Sequence, residues 1–224
     1  MVKKKYLLEM DRGNYALALT ILDSEIQNAD PPDPADLYNF AVCCVRTGNY
    51  KKAIQVIEDL ITHYLKFIEM DNAYRLMIYS YIQIGEYQTA LRITDERLKV
   101  NVGDLRLLSF RAHILEKLGR MTDSIQIHRN ILKIRPDYIN SLNSLAFLLC
   151  AQEKVSQSDL DEATDCIRKA LKQNPDNAAY LDTFGVLLKT KGNKDQAIRA
   201  FNKALAIAPQ AGAEILDHLK ELLD

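Results

Sequence analysis

The chain has 224 residues, 48% of them hydrophobic and 26% charged, with a formal net charge of −1. That balance supports a packed core and a solvated surface, and it offers no basic excess to neutralise a nucleic-acid backbone or an anionic leaflet. No apolar run approaches the roughly 18 residues of a membrane span, and the longest candidate lies within 145–151.

From the N-terminus, Lys3, Lys4 and Lys5 precede Tyr6, Leu7 and Leu8, but Glu9, Asp11 and Arg12 end the apolar stretch. The run therefore reads as a solvated helix start rather than a signal peptide. Gly13 then marks a turn, followed five positions later by the small residue Ala18. The same pairing recurs as Gly48 and Ala53, Gly85 and Ala90, Gly119 and Ser124, and Gly192 and Ala197.

This spacing predicts helix-turn-helix units over 1–33, 34–70, 71–104, 105–138, 139–177 and 178–211, with an amphipathic helix over 212–224. The first unit enters partway through its first helix, which predicts either an apolar N-terminal edge for docking or self-association, or a chain trimmed at its start. Pro31, Pro32 and Pro34 read as a stiffened linker. Pro136, Pro175 and Pro209 follow second helices, where a missing N–H and a fixed φ stop the helix, while the third unit has Val102 in that place. The fifth unit lacks the turn Gly and carries extra residues around 153–159 before Ala163, Ile167 and Ala170 restore the pattern. At the C-terminus, Ile215, Leu219 and Leu222 share one side of a helix, away from Asp217, Lys220 and Glu221.

Small residues are required where paired helices cross closely, which is the reading of Ala53, Ala90, Ala163, Ala197 and Gly185. In the last unit Leu181, Phe184, Gly185 and Leu188 mark the first helix, Gly192 the turn, Ala197, Phe201 and Ala204 the second helix, and Pro209 the stop. With a period of about 34 residues, this pattern resembles the tetratricopeptide (TPR) repeat. The runs 143–149 and 178–185 are similar to repeats common in bacterial members. The resemblance implies an all-α, right-handed α-solenoid of about six repeats with a C-terminal capping helix. It also implies a non-catalytic scaffold or adaptor that holds a protein or peptide partner in its concave groove. The alternative is an accessory subunit that positions an enzyme or a membrane-transport partner.

No G-x-G-x-x-G, P-loop, H-E-x-x-H or G-x-S-x-G motif occurs, so neither a cofactor, a metal nor a catalytic residue is assigned. His128 falls in a second-helix packing slot and reads as a core imidazole with a satisfied ring nitrogen. Cys43, Cys44, Cys150 and Cys166 lack C-x-x-C spacing and read as buried reduced thiols, which favours the cytoplasm. A periplasmic or membrane-tethered location would follow if a leader preceded Met1.

In such an array the first helices line the inner wall, and the inward slots recur at spacings of three and four. They supply Tyr38 in the second unit, Arg75 and Tyr79 in the third, Arg106 and His113 in the fourth, and Asn140, Asn143 and Phe147 in the fifth. The sixth adds Asp182 and Lys189. The aromatics offer burial for a partner's apolar side chains, and the Arg, His and Asn residues offer donors for its carboxylate or backbone. A solvated inner face, with some aromatics lying on the next helix, is the competing reading. Tyr38 with Val42 and Arg75 with Tyr79 do not reproduce the Lys/Asn/Arg clamp of chaperone-tail binders. Between 71 and 138, 11 Lys/Arg face 8 Asp/Glu, which leans towards a neutral or acidic peptide. Nucleic acid and direct membrane insertion are not predicted partners.

Overall fold

The structure, a computed structural model, describes residues 4–209 and 212–223. Lys3 of the lysine run, the close of the sixth repeat at 210–211, and Asp224 of the capping helix lie outside them. Among the described residues the fold is all-α, with thirteen helices and no strand. They are α1 Lys5–Asp11, α2 Tyr15–Gln27, α3 Pro34–Arg46, α4 Tyr50–His63, α5 Met70–Gln83, α6 Tyr87–Val100 and α7 Leu105–Lys117. These are followed by α8 Met121–Ile134, α9 Ile139–Cys150, α10 Gln157–Gln173, α11 Ala178–Thr190, α12 Lys194–Ile207 and α13 Gly212–Leu223.

The turn between α3 and α4 shows why glycine recurs. Gly48 takes φ +78°, a left-handed conformation that strains residues with a Cβ. Its N–H donates to the Val45 carbonyl at 3.1 Å, and the Asn49 N–H donates to the Cys44 carbonyl at 2.8 Å, closing the end of α3. Without such a glycine, α10 starts by a different route. The Asp159 N–H donates to Ser156 Oγ at 3.1 Å, and the Ser156 N–H donates to the Asp159 carboxylate at 3.1 Å. The extra residues around 153–159 are therefore not all loop, because this cap draws 157–159 into the helix.

Two further expectations change. Pro34 is not linker but the first residue of α3, and Asp33 caps that helix by accepting the Ala35 N–H at 2.9 Å. Lys4 is not merely solvated, because its Nζ donates to Asp36 at 2.6 Å on α3. The Tyr6 hydroxyl donates to the same carboxylate at 2.7 Å.

Helix packing groups the chain into two compact units, 1–114 and 115–224. In the first, each helix from α1 to α6 packs on its neighbour in sequence, and α3 also meets α5, so successive first helices lie together. Ala18, Ala41, Ala53, Ala73 and Ala90 are fully buried at these crossings. In the second unit α8 to α13 pack in sequence, α9 meets α11, and α11 meets α13. There Ala146, Ala163, Ala197 and Ala204 are fully buried beside Leu142, Leu145, Ile167 and Phe201. His128 lies in this core with its Nδ1 3.0 Å from Ser141 Oγ, as a packing imidazole should. Leu65 and Ile68, in the longer turn before α5, are 80% and 93% exposed. No described helix is long and apolar enough to cross a membrane.

Candidate functional site

In unit 1 the inner-wall residues fall into two groups. Tyr38 on α3 is half-buried, with its ring 5.7 Å from that of Phe67 and tilted by 50°. Burial raises its pKa, Glu69 adds to the rise, and Arg75 opposes it. Arg75 on α5 is not a free donor. Its Nη1 donates to Asn72 Oδ1 at 2.6 Å and its Nη2 is held by Asp104. Asp104 in turn accepts the Arg106 backbone N–H at 2.8 Å, so one carboxylate both caps α7 and holds Arg75. Burial works against ionisation of Asp104, but Arg75 and the backbone donors prevail and its pKa is lowered. Arg75 Nε remains buried with no hydrogen-bond partner.

The second group surrounds Tyr79, which is 37% exposed. Tyr50, the first residue of α4, meets its ring edge-on at 6.2 Å and 72°. Burial raises the Tyr79 pKa, Tyr50 adds to the rise, and Arg46 lowers it. The Arg46 guanidinium lies 5.6 Å from the Tyr15 ring. The inward-slot spacing does not include Tyr15, Tyr50 or Arg46. The signal was the aromatic two places after each of Gly13 and Gly48, which puts a ring at the start of each second helix. Arg106 is exposed, and His113 is half-buried.

In unit 2, Asn140 is exposed and Asn143 is half-buried. Asn143 Oδ1 is fully removed from solvent and accepts no hydrogen bond. Phe147 is half-buried under α13, its ring 6.2 Å from the imidazole of His218. His218 Nδ1 lies 2.9 Å from Asp182 Oδ1, and Lys189 pairs with Glu221. Three inward residues of this unit therefore face α13. His218 was not singled out from sequence, although it sits three residues after Ile215 and four before Leu222, on their stripe.

Residues 137–210 match the family model described as tetratricopeptide repeat. A TPR repeat-containing protein of Pseudomonas aeruginosa is 30% identical over 136 residues, 61% of this chain and 22% of that protein. The chain carries tetratricopeptide repeats, and its fold is that of TPR proteins. This tetratricopeptide-repeat chain is also similar to protein FlbA of Caulobacter vibrioides, at 26% identity over 204 residues, 87% of the chain and 31% of that protein. It thus spans less than a third of the length of either relative. The fold is shared with a thermophilic TPR protein of Thermus thermophilus at 15% identity and a TM-score of 0.67, covering 85% of this chain and 99% of that one. A tetratricopeptide fold is that of a protein-interaction scaffold, and its members are generally non-catalytic.

Proposed function

We propose that this chain is a non-catalytic adaptor whose first helices hold an extended segment of a protein partner. One observation carries this reading: the Tyr79 ring on α5 is exposed and backed edge-on by Tyr50, which gives unit 1 a preformed apolar anchor with little ordering cost. The cytoplasm is the compartment we infer, from four buried thiols, none of them in a disulfide.

The test is affinity capture from a lysate of the source organism with the native chain, Tyr79→Ser and Asn143→Ala. A protein retained by the native chain and lost with either variant, at unchanged melting temperature, supports an inner-wall site. Equal recovery with all three rejects it. In a second reading, the chain positions an enzyme or a transport partner. A captured protein with an activity of its own would support that reading.

A further inference from the structure

The end of unit 2 pairs polar side chains at the centre of a helix contact. Asp182, on α11, is 9% exposed, and His218 of α13 is its hydrogen-bond partner. The imidazole neighbours the rings of Phe147, at 6.2 Å, and Phe201, at 5.8 Å. Ile215 and Leu222 are buried on the same face of α13, while Leu216 on its outer face is 44% exposed. One turn further along, Glu221 reaches Lys189 of α11.

A carboxylate so far removed from water is costly without a donor or cation opposite it. Asp182 therefore discriminates among helices laid on this wall: a purely apolar one would leave it unpaired, and an acidic one would repel it. Lys189 adds a second condition of opposite sign. Together they specify a basic or imidazole side chain, an acid three residues later, and apolar residues three before and four after the basic position. α13 meets that specification with Ile215, His218, Glu221 and Leu222.

We propose that the inner wall of unit 2 is a receptor for an amphipathic helix of a protein partner, presenting a basic side chain to Asp182 and a carboxylate to Lys189, with α13 as the intramolecular occupant that such a helix replaces. The recognition rests on charge complementarity and on the seat α13 already takes, and it is independent of the Tyr79 site.

The probe is a fluorescein-labelled peptide of residues 212–223, alongside versions carrying His218→Arg or His218→Glu. The full chain with Ile215→Asp and Leu222→Asp, which takes its own α13 off the wall, should bind the first two peptides. The native chain should bind them about tenfold more weakly or less, and the His218→Glu peptide should lose about tenfold or more. Adding Asp182→Lys to the chain should restore that last peptide. A folded double variant that binds nothing, or binds all peptides alike, overturns the proposal.

Hydrogen exchange on the native chain keeps the idea testable if the double variant unfolds. α13 amides should exchange well ahead of those in α11 and α12, whereas exchange in step with them makes α13 a fixed part of the core and overturns the proposal. A native chain that dimerises through α13 in sedimentation assigns the wall to a second copy and overturns the partner-helix reading.

Discussion

Gly185 lies directly beneath the ring of Phe201, where an added Cβ would stand 2.4 Å from Cε1 and 2.6 Å from Cδ1. Phe201 is fully buried, so its ring has no free space to enter. Gly185→Ala should destabilise unit 2 by about 1–3 kcal/mol through overpacking. Urea denaturation measures the loss, and Phe201→Leu in the same background should recover part of it. An unchanged midpoint for Gly185→Ala would mean that α11 and α12 separate without cost.

Ser124 occupies the small-residue slot that holds Ala18, Ala53, Ala90, Ala163 and Ala197 in the other repeats. It is fully buried and its Oγ has no partner. A methyl group there removes an unsatisfied polar atom without opening a cavity. Ser124→Ala should raise stability by about 1 kcal/mol, seen as a higher urea midpoint with an unchanged slope. A lower midpoint would show that the hydroxyl has a partner.

The imidazole of His218 is surrounded by Asp182 from α11 and by Glu214 and Glu221 from α13, with Lys189 across from Glu221. The hydrogen bond to Asp182 raises its pKa above the ordinary 6.5, burial opposes the rise, and the nearby carboxylates add to it. A raised folded-state pKa means that the stabilisation is complete below the unfolded value and fades as pH rises through the folded one. The melting-temperature gap between the native chain and His218→Gln should be widest at mildly acidic pH and shrink towards alkaline pH. A gap independent of pH would show that packing alone holds α13.

Burial pushes the thiols of Cys43, Cys44, Cys150 and Cys166 up to about 11. Little thiolate is then present at neutral pH, and the thiols are sheltered as well. The folded chain should resist a thiol-reactive dye that labels every cysteine after denaturation. Rapid labelling of one site under native conditions would identify local opening of the helix that carries it.

Much of the fold could be read because each repeat imposes the same few constraints. A left-handed turn needs glycine, a close crossing needs alanine, and a helix end tolerates proline two residues on, so the same residue types return. Composition alone reads Pro34 as linker, whereas Asp33 before it is a helix-start signature. The inner face was also legible from spacing, but what lies against it was not. Asp104, 29 residues beyond Arg75, and α13, far beyond Phe147, enter through packing that no local pattern records. The face of a helix follows from its period, whereas the occupant of that face depends on residues distant along the chain.

The start of α10 has a consequence for how the chain tolerates change. Its cap, Ser156 with Asp159, fixes the helix from its own side, so the length of the segment 151–155 does not set where α10 begins. At the glycine turns, by contrast, a single residue inserted between the helices would break the closing hydrogen bonds. The joint between α9 and α10 is therefore a seam into which a tag, a protease site or a fluorescent reporter can be placed while both neighbouring helices keep their register.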